Sequence, residues 1–223
     1  MSESVSELMV RGIVVGIFQE NCWVIGSRRT GQAICIDPGD QADEILAMAR
    51  DMGVTIKRVV SSHAHIDHVM AVRPVQERTG APFMLHAADD PLLASGWAWA
   101  TQQFGIEAGP APAPDDALND GDLLGVDGVQ LRVIHTPGHT PGSVSLYADG
   151  LLFSGDTLFR GSIGRTDLPG GDYRTLMSSI VGRLLKLPDD TIVLPGHMQQ
   201  TTIRDERQRN PFVLQELRQR AGG

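Results

Sequence analysis

The 223-residue chain has little cysteine and no long apolar run. Its two cysteines, Cys22 and Cys35, both lie in strand-like stretches, and we interpret them as buried small hydrophobic residues of a reducing compartment rather than as a disulfide or a reactive thiol. No stretch approaches the roughly 18 apolar residues of a membrane span. The N-terminus is polar and acidic, without the basic and apolar regions of a secretory signal. We therefore expect a cytoplasmic protein that has no membrane partner.

Positive charge is also scarce. The chain has 19 Lys and Arg against 27 Asp and Glu, a formal net charge of −8 at pH 7. This balance argues against a nucleic-acid backbone as the main partner, because such proteins usually carry a basic surface. At 41% apolar and 21% charged residues, the composition is that of a globular enzyme. Without a repeat or a Pro/Gly/Ser linker, we expect one domain over residues 1–223; the sequence does not indicate an oligomeric state.

Hydrophobic periodicity divides the chain into two blocks, each with strands followed by helices. We predict strands within 11–18, 21–27, 32–37, 56–62, 81–86, 123–136, 143–150, 151–156 and 190–197. We predict helices over 41–53, 71–80 and 173–187, the last capped by Asp172, and a helical or mixed segment over 87–106. A loop is expected over 107–120, and a charged helical segment over 202–220 with Pro211 opening its final turn. Strands followed by helices, twice over, predict an α/β fold with two packed sheets and helices outside.

The densest cluster of coordinating side chains is "SSHAHIDHVM", residues 61–70. His63, His65, Asp67 and His68 are four candidate ligands within six positions. Side chains at i and i+2 point the same way on an extended chain, so His63 and His65 can share one metal ion. Asp67 and His68 follow a turn and are better placed to reach a second ion. Histidine nitrogen and carboxylate oxygen suit zinc, and also iron or manganese.

Three further candidate ligands each follow an apolar strand on a turn that contains glycine. They are His139 in "HTPGHTPGS", Asp156 in "LLFSGDTLF" and His197 in "TIVLPGH". A rigid sheet that carries ligands on its loops is a common way to hold an active site. Each signal alone is weak, but together with the first cluster they provide seven ligands for two metal ions.

The order HxHxDH, GHT, GDTLF and GH resembles that of the metallo-β-lactamase superfamily over nearly the whole chain. The resemblance implies an αββα four-layer sandwich of two mixed β-sheets flanked by helices, with the metals at one edge between the sheets. It implies that one metal is bound by His63, His65 and His139. It implies that the second is bound by Asp67, His68 and His197, and that Asp156 bridges the two. Asp37 in "ICIDPGD" matches the first acidic position of the superfamily, which lies behind the ligands; an Asp-Pro-Gly turn is the alternative.

Within this superfamily, true β-lactamases lack a carboxylate at the position of Asp156, which disfavours an antibiotic substrate. The stretches "RGSIGRTDLPGGD" and "TIRDERQRNP" resemble glyoxalase II-like hydrolases of the short bacterial type. Where glyoxalase II has a lysine that binds the glutathione carboxylate, this chain has Arg165, which can form a bidentate pair with a carboxylate. Full-length glyoxalase II adds a helical glutathione-binding domain, whereas this sequence ends 26 residues after His197. We therefore expect no separate C-terminal helical domain.

The resemblance implies a dinuclear metallohydrolase that cleaves a glutathione thioester such as S-D-lactoylglutathione. Two divalent cations, with zinc the first expectation, would lower the pKa of a bridging water and so supply a hydroxide for attack on the carbonyl. Asp67 would act both as a ligand and as the group that orients this hydroxide. The "GRTD" stretch is also similar to persulfide dioxygenases, which use a single iron. That alternative would need only His63, His139 and Asp156, and would oxidise glutathione persulfide.

Several other polar or aromatic side chains allow a functional and a structural interpretation. For most of them we favour the structural one. We interpret His86 and His135 as structural residues or as groups behind the metal ligands, and Glu206 and Asn210 as hydrogen-bonding groups at helix ends. We interpret Trp97 and Trp99 as core residues rather than as residues of a substrate cleft. For Arg160, a surface or structural role and a substrate contact are equally supported.

Overall fold

The elements of the protein follow the two predicted blocks. The computed structural model describes residues 7–104 and 110–222. The strands are β1 (Leu8–Val15), β2 (Glu20–Ser27), β3 (Gln32–Ile36), β4 (Thr55–Val60), β5 (Phe83–Leu85), β6 (Asp116–Ala117), β7 (Leu123–Val126), β8 (Val129–His135), β9 (Val144–Ala148), β10 (Leu151–Gly155), β11 (Leu158–Phe159), β12 (Ser162–Ile163), β13 (Ile192–Pro195) and β14 (Thr201–Thr202). The α-helices are α1 (Ala42–Asp51), α2 (Val72–Thr79), α3 (Asp90–Phe104), α4 (Tyr173–Gly182), α5 (Ile203–Arg209) and α6 (Pro211–Gly222). None of the described helices combines the length and the apolar character that a membrane span requires.

Two six-stranded sheets organise the molecule, and both are mixed. The first has the order β1-β2-β3-β4-β5-β6, antiparallel as far as β3 and parallel from there on. The second has the order β14-β13-β10-β9-β8-β7, with a parallel pair between β10 and β13. Because β8, β10 and β13 run in the same direction, the residues that follow these three strands all reach one edge of the second sheet.

Three hydrophobic clusters fill the spaces between four layers. In β3, Ala33 and Cys35 face the cluster that contains the buried sides of α1 and α2, whereas Ile34 and Ile36 face the cluster between the two sheets. This alternation follows from the two-residue period of a strand. The third cluster packs the outer face of the second sheet against α4, with Leu152 and Leu176 among its members. Three clusters between four layers confirm the αββα sandwich of two mixed sheets.

The two cysteines lie in the first sheet, in β2 and β3. Cys22 and Cys35 are buried and not disulfide-bonded, with their sulfur atoms 3.7 Å apart. Burial raises the pKa of the Cys22 thiol well above its ordinary value. Both cysteines are therefore buried small side chains, as expected from the sequence.

The helix predicted over 173–187 is shorter than expected. Asp172 does cap it, since its side chain accepts a hydrogen bond from the Thr175 N–H at 2.7 Å, but α4 ends at Gly182. Arg183 leaves the helical region at φ −124° and ψ −61°, and Leu184–Lys186 form a separate short 3₁₀ helix. The Arg183 guanidinium donates hydrogen bonds to the His135 carbonyl and to Asp120, which fixes the chain at this break.

The C-terminal segment contains two helices, not one helix with a final turn opened by proline. Pro211 begins α6, and the preceding Asn210 is extended at φ −68° and ψ 118°. Steric clash with the proline ring favours this extended conformation and ends α5. The Asn210 side-chain oxygen accepts hydrogen bonds from the Phe212 and Val213 N–H groups, so the same residue starts the next helix.

The shortest strands were not predicted. β6 pairs with β5 inside the segment expected to be a loop over 107–120, of which residues 107–109 lie outside the described residues. Within residues 7–104 and 110–222, β11 pairs only with β12, and β14 extends the second sheet next to β13. Each of these strands is two residues long, too short to produce a periodic hydrophobic pattern.

Candidate metal centre

The seven predicted ligands lie together at one edge of the two sheets. The "SSHAHIDHVM" segment follows β4, and Ile66–His68 form a short 3₁₀ helix within it. His139, Asp156 and His197 follow β8, β10 and β13, the three strands that run in the same direction. Residues 130 positions apart in the sequence are therefore neighbours here, as the ion pair between Asp67 and His197 shows.

Three histidines form one compact set of nitrogen atoms. Nε2 of His63 lies 3.0 Å from Nδ1 of His65 and 3.2 Å from Nε2 of His139. Nδ1 of His65 and Nε2 of His139 are 2.8 Å apart. Ligands at about 2.0–2.1 Å around a tetrahedral zinc ion lie roughly 3.3 Å from one another, close to these separations. The triangle has the shape that a divalent metal ion requires.

A second set lies beside the first. Oδ2 of Asp67 is 3.2 Å from Nε2 of His197 and 3.9 Å from Nε2 of His68. Asp67, His68 and His197 thus form a further group whose ligand atoms lie within 4.8 Å of one another. This set combines two imidazoles with one carboxylate, a donor combination that divalent transition metals favour.

Asp156 lies between the two sets. Its Oδ1 is 3.5 Å from Nε2 of His68, and its Oδ2 is 3.6 Å from Nε2 of both His139 and His197. Oδ1 of Asp156 and Nε2 of His68 are buried without a hydrogen-bond partner among the described residues. Buried polar atoms normally have partners, so this pair fits a site that a cation completes.

Hydrogen bonds behind the ligands turn the imidazoles toward one another. Nδ1 of His139 lies 2.8 Å from the Arg165 carbonyl, which can only accept, so this nitrogen carries the proton. Nδ1 of His63 lies 3.1 Å from the Ser62 hydroxyl, which itself donates to Asp37. In both histidines the unprotonated Nε2 therefore faces the donor set, an arrangement typical of metal-binding histidines.

The electrostatic environment differs across the cluster. Burial, followed by the neighbouring His139 and His68, lowers the pKa of His65 to about 3, which keeps its imidazole neutral and able to act as a ligand. Burial also opposes charge on His68, yet Asp67 and Asp156 outweigh it and raise the pKa of His68 to about 10. The negative charge around His68 is what a cation at this position requires.

Two buried acids at this edge were not identified from the sequence. Asp89 accepts hydrogen bonds from the Ala64 N–H, the Thr140 hydroxyl and the Gly142 N–H, and so ties the loop of His63 and His65 to the turn of His139. Glu20 is only 1% exposed, and its Oε1 lies 3.8 Å from Nδ1 of His68. Burial, then Asp37, raises the pKa of Glu20 well above its ordinary value. In the sequence, their only signal is position: Glu20 begins β2, and Asp89 directly precedes α3.

Asp37 reaches the same side of His68. Its Oδ2 lies 3.2 Å from Nδ1 of His68 and accepts the Ser62 hydroxyl at 2.8 Å. Its backbone has φ +53°, in the left-handed region that aspartate tolerates better than most residues. The residue therefore forms the turn and also supports a candidate ligand, so both interpretations of it hold.

Arg165 lies at the rim of the site with its guanidinium already paired. Nε and one terminal nitrogen donate to the two carboxylate oxygens of Asp167 at 2.8 and 2.7 Å. The side chain still lines a cavity of about 940 Å³ that opens onto the donor cluster. A substrate carboxylate that binds the Arg165 guanidinium would have to share it with Asp167 or displace Asp167.

The two tryptophans divide between the two interpretations. Trp97 is buried in the core that packs against the first sheet, as favoured from the sequence. Trp99, by contrast, is half exposed and lines the same cavity. The core interpretation is therefore wrong for Trp99, because side chains two positions apart on a helix point in nearly opposite directions.

The remaining side chains have structural contacts. The rings of His86 and His135 stack on each other with centroids 4.3 Å apart, and Arg160 donates to Gln199. Glu206 accepts the Gly161 N–H at 2.9 Å, and Asn210 donates to the Ser162 carbonyl at the same distance. These two residues thus hold the β11–β12 hairpin beside the cavity, in addition to their roles at helix ends.

Comparison with known proteins agrees with this geometry. The family model of the metallo-beta-lactamase superfamily matches residues 15–197 of this chain. Hydroxyacylglutathione hydrolase GloC of Haemophilus influenzae is 38% identical over 204 residues, which are 90% of this chain and 96% of that protein. The chain therefore belongs to the metallo-β-lactamase superfamily.

Three solved structures share both fold and sequence with this chain. The B3 metallo-beta-lactamase BLEG-1 superposes with a TM-score of 0.85 at 36% identity, covering 92% of this chain and 99% of that one. TTHA1623 in a di-iron-bound form gives 0.80 at 38% identity, covering 91% and 99%. ETHE1 from Myxococcus xanthus gives 0.77 at 29% identity, covering 91% and 83%. The similar proteins thus differ in the activities that their names give.

Proposed function

We propose that this protein is a dinuclear metallohydrolase of the glyoxalase II-like type, which hydrolyses a glutathione thioester such as S-D-lactoylglutathione. The observation that carries the proposal is the convergence of two donor sets on Asp156. Oδ2 of Asp156 lies 3.6 Å from Nε2 of His139 in the first set and of His197 in the second, and its Oδ1 lies 3.5 Å from Nε2 of His68. If the protein bound one metal ion in the first set, the second set would have no ligand role.

Two divalent ions in these sets would lower the pKa of a bound water to near neutrality and polarise the thioester carbonyl. In hydrolysis, the water oxygen forms a bond to the carbonyl carbon, the carbon–sulfur bond breaks, and the thiolate leaves. The carboxylates of Asp67 and Asp156 border the cavity, where Asp67 can hold the attacking water by accepting its hydrogen bond. Because a thiolate is a good leaving group, the reaction needs little help from a general acid.

Zinc is the metal we expect first, with iron and manganese as alternatives, since imidazole and carboxylate accept all three. The likeness to TTHA1623 in its di-iron form supports two metals and leaves their identity to measurement. Arg165 is the proposed contact for a glutathione carboxylate, in exchange with Asp167. The similarity to GloC of Haemophilus influenzae supports the glutathione thioester as the substrate class.

A mononuclear iron persulfide dioxygenase is the second candidate. Nε2 of His63 and Nε2 of His139 are 3.2 Å apart, and Oδ2 of Asp156 is 3.6 Å from the latter, so two histidines and one carboxylate are available for one iron. The resemblance of the "GRTD" stretch to persulfide dioxygenases supports this candidate.

Metal analysis and a substrate panel separate the candidates. Purified protein is assayed with S-D-lactoylglutathione, a lactone, a β-lactam and glutathione persulfide, with thiol release and oxygen uptake followed in parallel. Two metals per chain with thiol release from the thioester supports the hydrolase. One iron per chain with oxygen consumption on the persulfide would replace it with the dioxygenase.

A further inference from the structure

The cavity at the donor cluster has a largely apolar wall away from the candidate ligands. It is lined by Asp67, His139 and Asp156 where it meets the candidate metal centre. Away from this centre, large apolar side chains from several elements line it: Phe18, Leu92, Trp99, Phe159, Leu168 and Met198. We call these six residues the apolar wall.

Part of the apolar wall is exposed to solvent. Phe18 is 42% exposed, Trp99 51% and Met198 60%, although all three are large hydrophobic residues. Exposed apolar side chains that cluster at a concave site commonly mark the surface that a ligand covers. The exposed residues of the wall therefore lie where a bound molecule would bury them.

Charge is scarce on this wall. Outside the donor cluster, the described residues that line the cavity include only Ser95, Ser162 and Arg165 as polar groups. The positive charge of Arg165 is balanced by its two hydrogen bonds to Asp167. An ionic group placed against the wall would lose its hydration without a partner in return, which is costly.

We propose that the apolar wall binds the acyl group of the thioester, and that the enzyme prefers an extended apolar acyl chain over the small hydroxylated D-lactoyl group. The inference rests on the proposed thioester hydrolase and specifies its substrate class. Glutathione carries two carboxylates and an ammonium group, so of the two halves of the substrate only the acyl half can be apolar. A volume of about 940 Å³ is at the upper end of ligand pockets and leaves room for both halves.

The test compares three substrates that share the same thiol. kcat/KM is measured for S-acetylglutathione, S-hexanoylglutathione and S-D-lactoylglutathione on the metal-loaded protein. Each buried CH₂ is worth roughly a factor of four, so four additional CH₂ groups, even partly buried, should raise kcat/KM by at least about tenfold from acetyl to hexanoyl. We expect S-hexanoylglutathione to exceed S-D-lactoylglutathione by a similar factor.

Two variants locate the effect on the wall. Trp99→Ala, and independently Met198→Gln at the exposed mouth, should reduce the ratio of hexanoyl to acetyl kcat/KM to less than about threefold. Leu123→Ala removes a side chain on β7 that is 63% exposed and does not line the cavity, and it should leave the ratio unchanged.

The outcomes separate this inference from the proposed function. Hydrolysis of all three thioesters with no preference for hexanoyl, or a preference that survives both wall variants, overturns the acyl assignment and leaves the hydrolase standing. Hydrolysis of none of the three overturns the proposed function and this inference with it.

Discussion

Oδ2 of Asp37 lies 3.2 Å from Nδ1 of His68, on the side of the imidazole opposite to Asp156. The contact joins the turn after β3 to a candidate metal ligand. A carboxylate behind a histidine fixes the orientation of the ring and raises its basicity toward a metal. The geometry of the second donor set therefore depends on a residue that touches no substrate.

Substituting Asp37→Asn keeps the shape of this side chain and removes its charge. We expect the affinity for divalent metal to fall about 10–100-fold, the usual cost of losing such a partner. Competition titration against a chromophoric chelator measures the change directly. Asp51→Asn, on the exposed side of α1, is the matched control. Equal affinity in the two variants would remove Asp37 from the site.

Substituting His65→Ala removes one nitrogen from the set formed with His63 and His139. We expect the purified variant to lose one metal equivalent and most hydrolysis of S-D-lactoylglutathione, because the first ion would keep only two imidazoles. His86→Ala, which removes a histidine stacked on His135 and outside the donor sets, serves as control. A His65→Ala protein with unchanged metal content and full activity would contradict the dinuclear assignment.

Gly196 allows Asp156 and His68 to approach each other. A Cβ atom at this glycine would lie 2.4 Å from Oδ1 of Asp156 and 2.7 Å from Cε1 of His68. Gly196→Ala should therefore displace both ligands and reduce bound metal, with circular dichroism close to that of the wild type. At Gly182, the last residue of α4, a Cβ meets nothing within 4 Å, so Gly182→Ala should keep its metal. Retention of metal by both variants would count against the observed packing.

The ion pair between Asp120 and Arg183 predicts a dependence of stability on pH. The hydrogen bond from Arg183 lowers the pKa of Asp120, so the carboxylate stabilises the fold above its ordinary pKa and loses this effect as the pH falls through its lower folded value. Because the pair is exposed, Asp120→Asn should cost no more than about 1 kcal/mol at pH 7. Urea unfolding of the wild type and the variant at pH 7 and near pH 3 measures the difference in their free energies of unfolding. A difference that does not shrink at the lower pH would contradict this prediction.

The sequence was sufficient for the four-layer architecture and for the close approach of the seven candidate ligands. Two features follow from the order of neighbouring residues and can therefore be predicted from sequence. They are the alternation of buried faces in β3 and the position of a candidate ligand directly after a strand, as for His139, Asp156 and His197. Their roles as ligands stay a prediction.

What the sequence did not indicate depends on distant contacts. Asp89 accepts a hydrogen bond from Thr140, 51 positions away, and Asp89 itself lies in no recognisable motif. Glu20 became relevant only once folding had buried it against His68. The apolar wall likewise draws on α3, on the hairpins β1–β2, β11–β12 and β13–β14, and on the loop after β12. No local pattern specifies the relative positions of these elements. The Asp89 contact, the burial of Glu20 and the apolar wall all depend on tertiary packing.

The central claim is that this chain binds two metal ions in adjoining sites that share Asp156. Its most direct test is the metal content of the protein, measured by inductively coupled plasma mass spectrometry after reconstitution with excess zinc, iron or manganese and removal of unbound ion. We expect two equivalents per chain for the metal that supports hydrolysis. A plateau at one equivalent, with Asp67→Ala and His197→Ala variants still binding that one ion as tightly as the wild type, would contradict it.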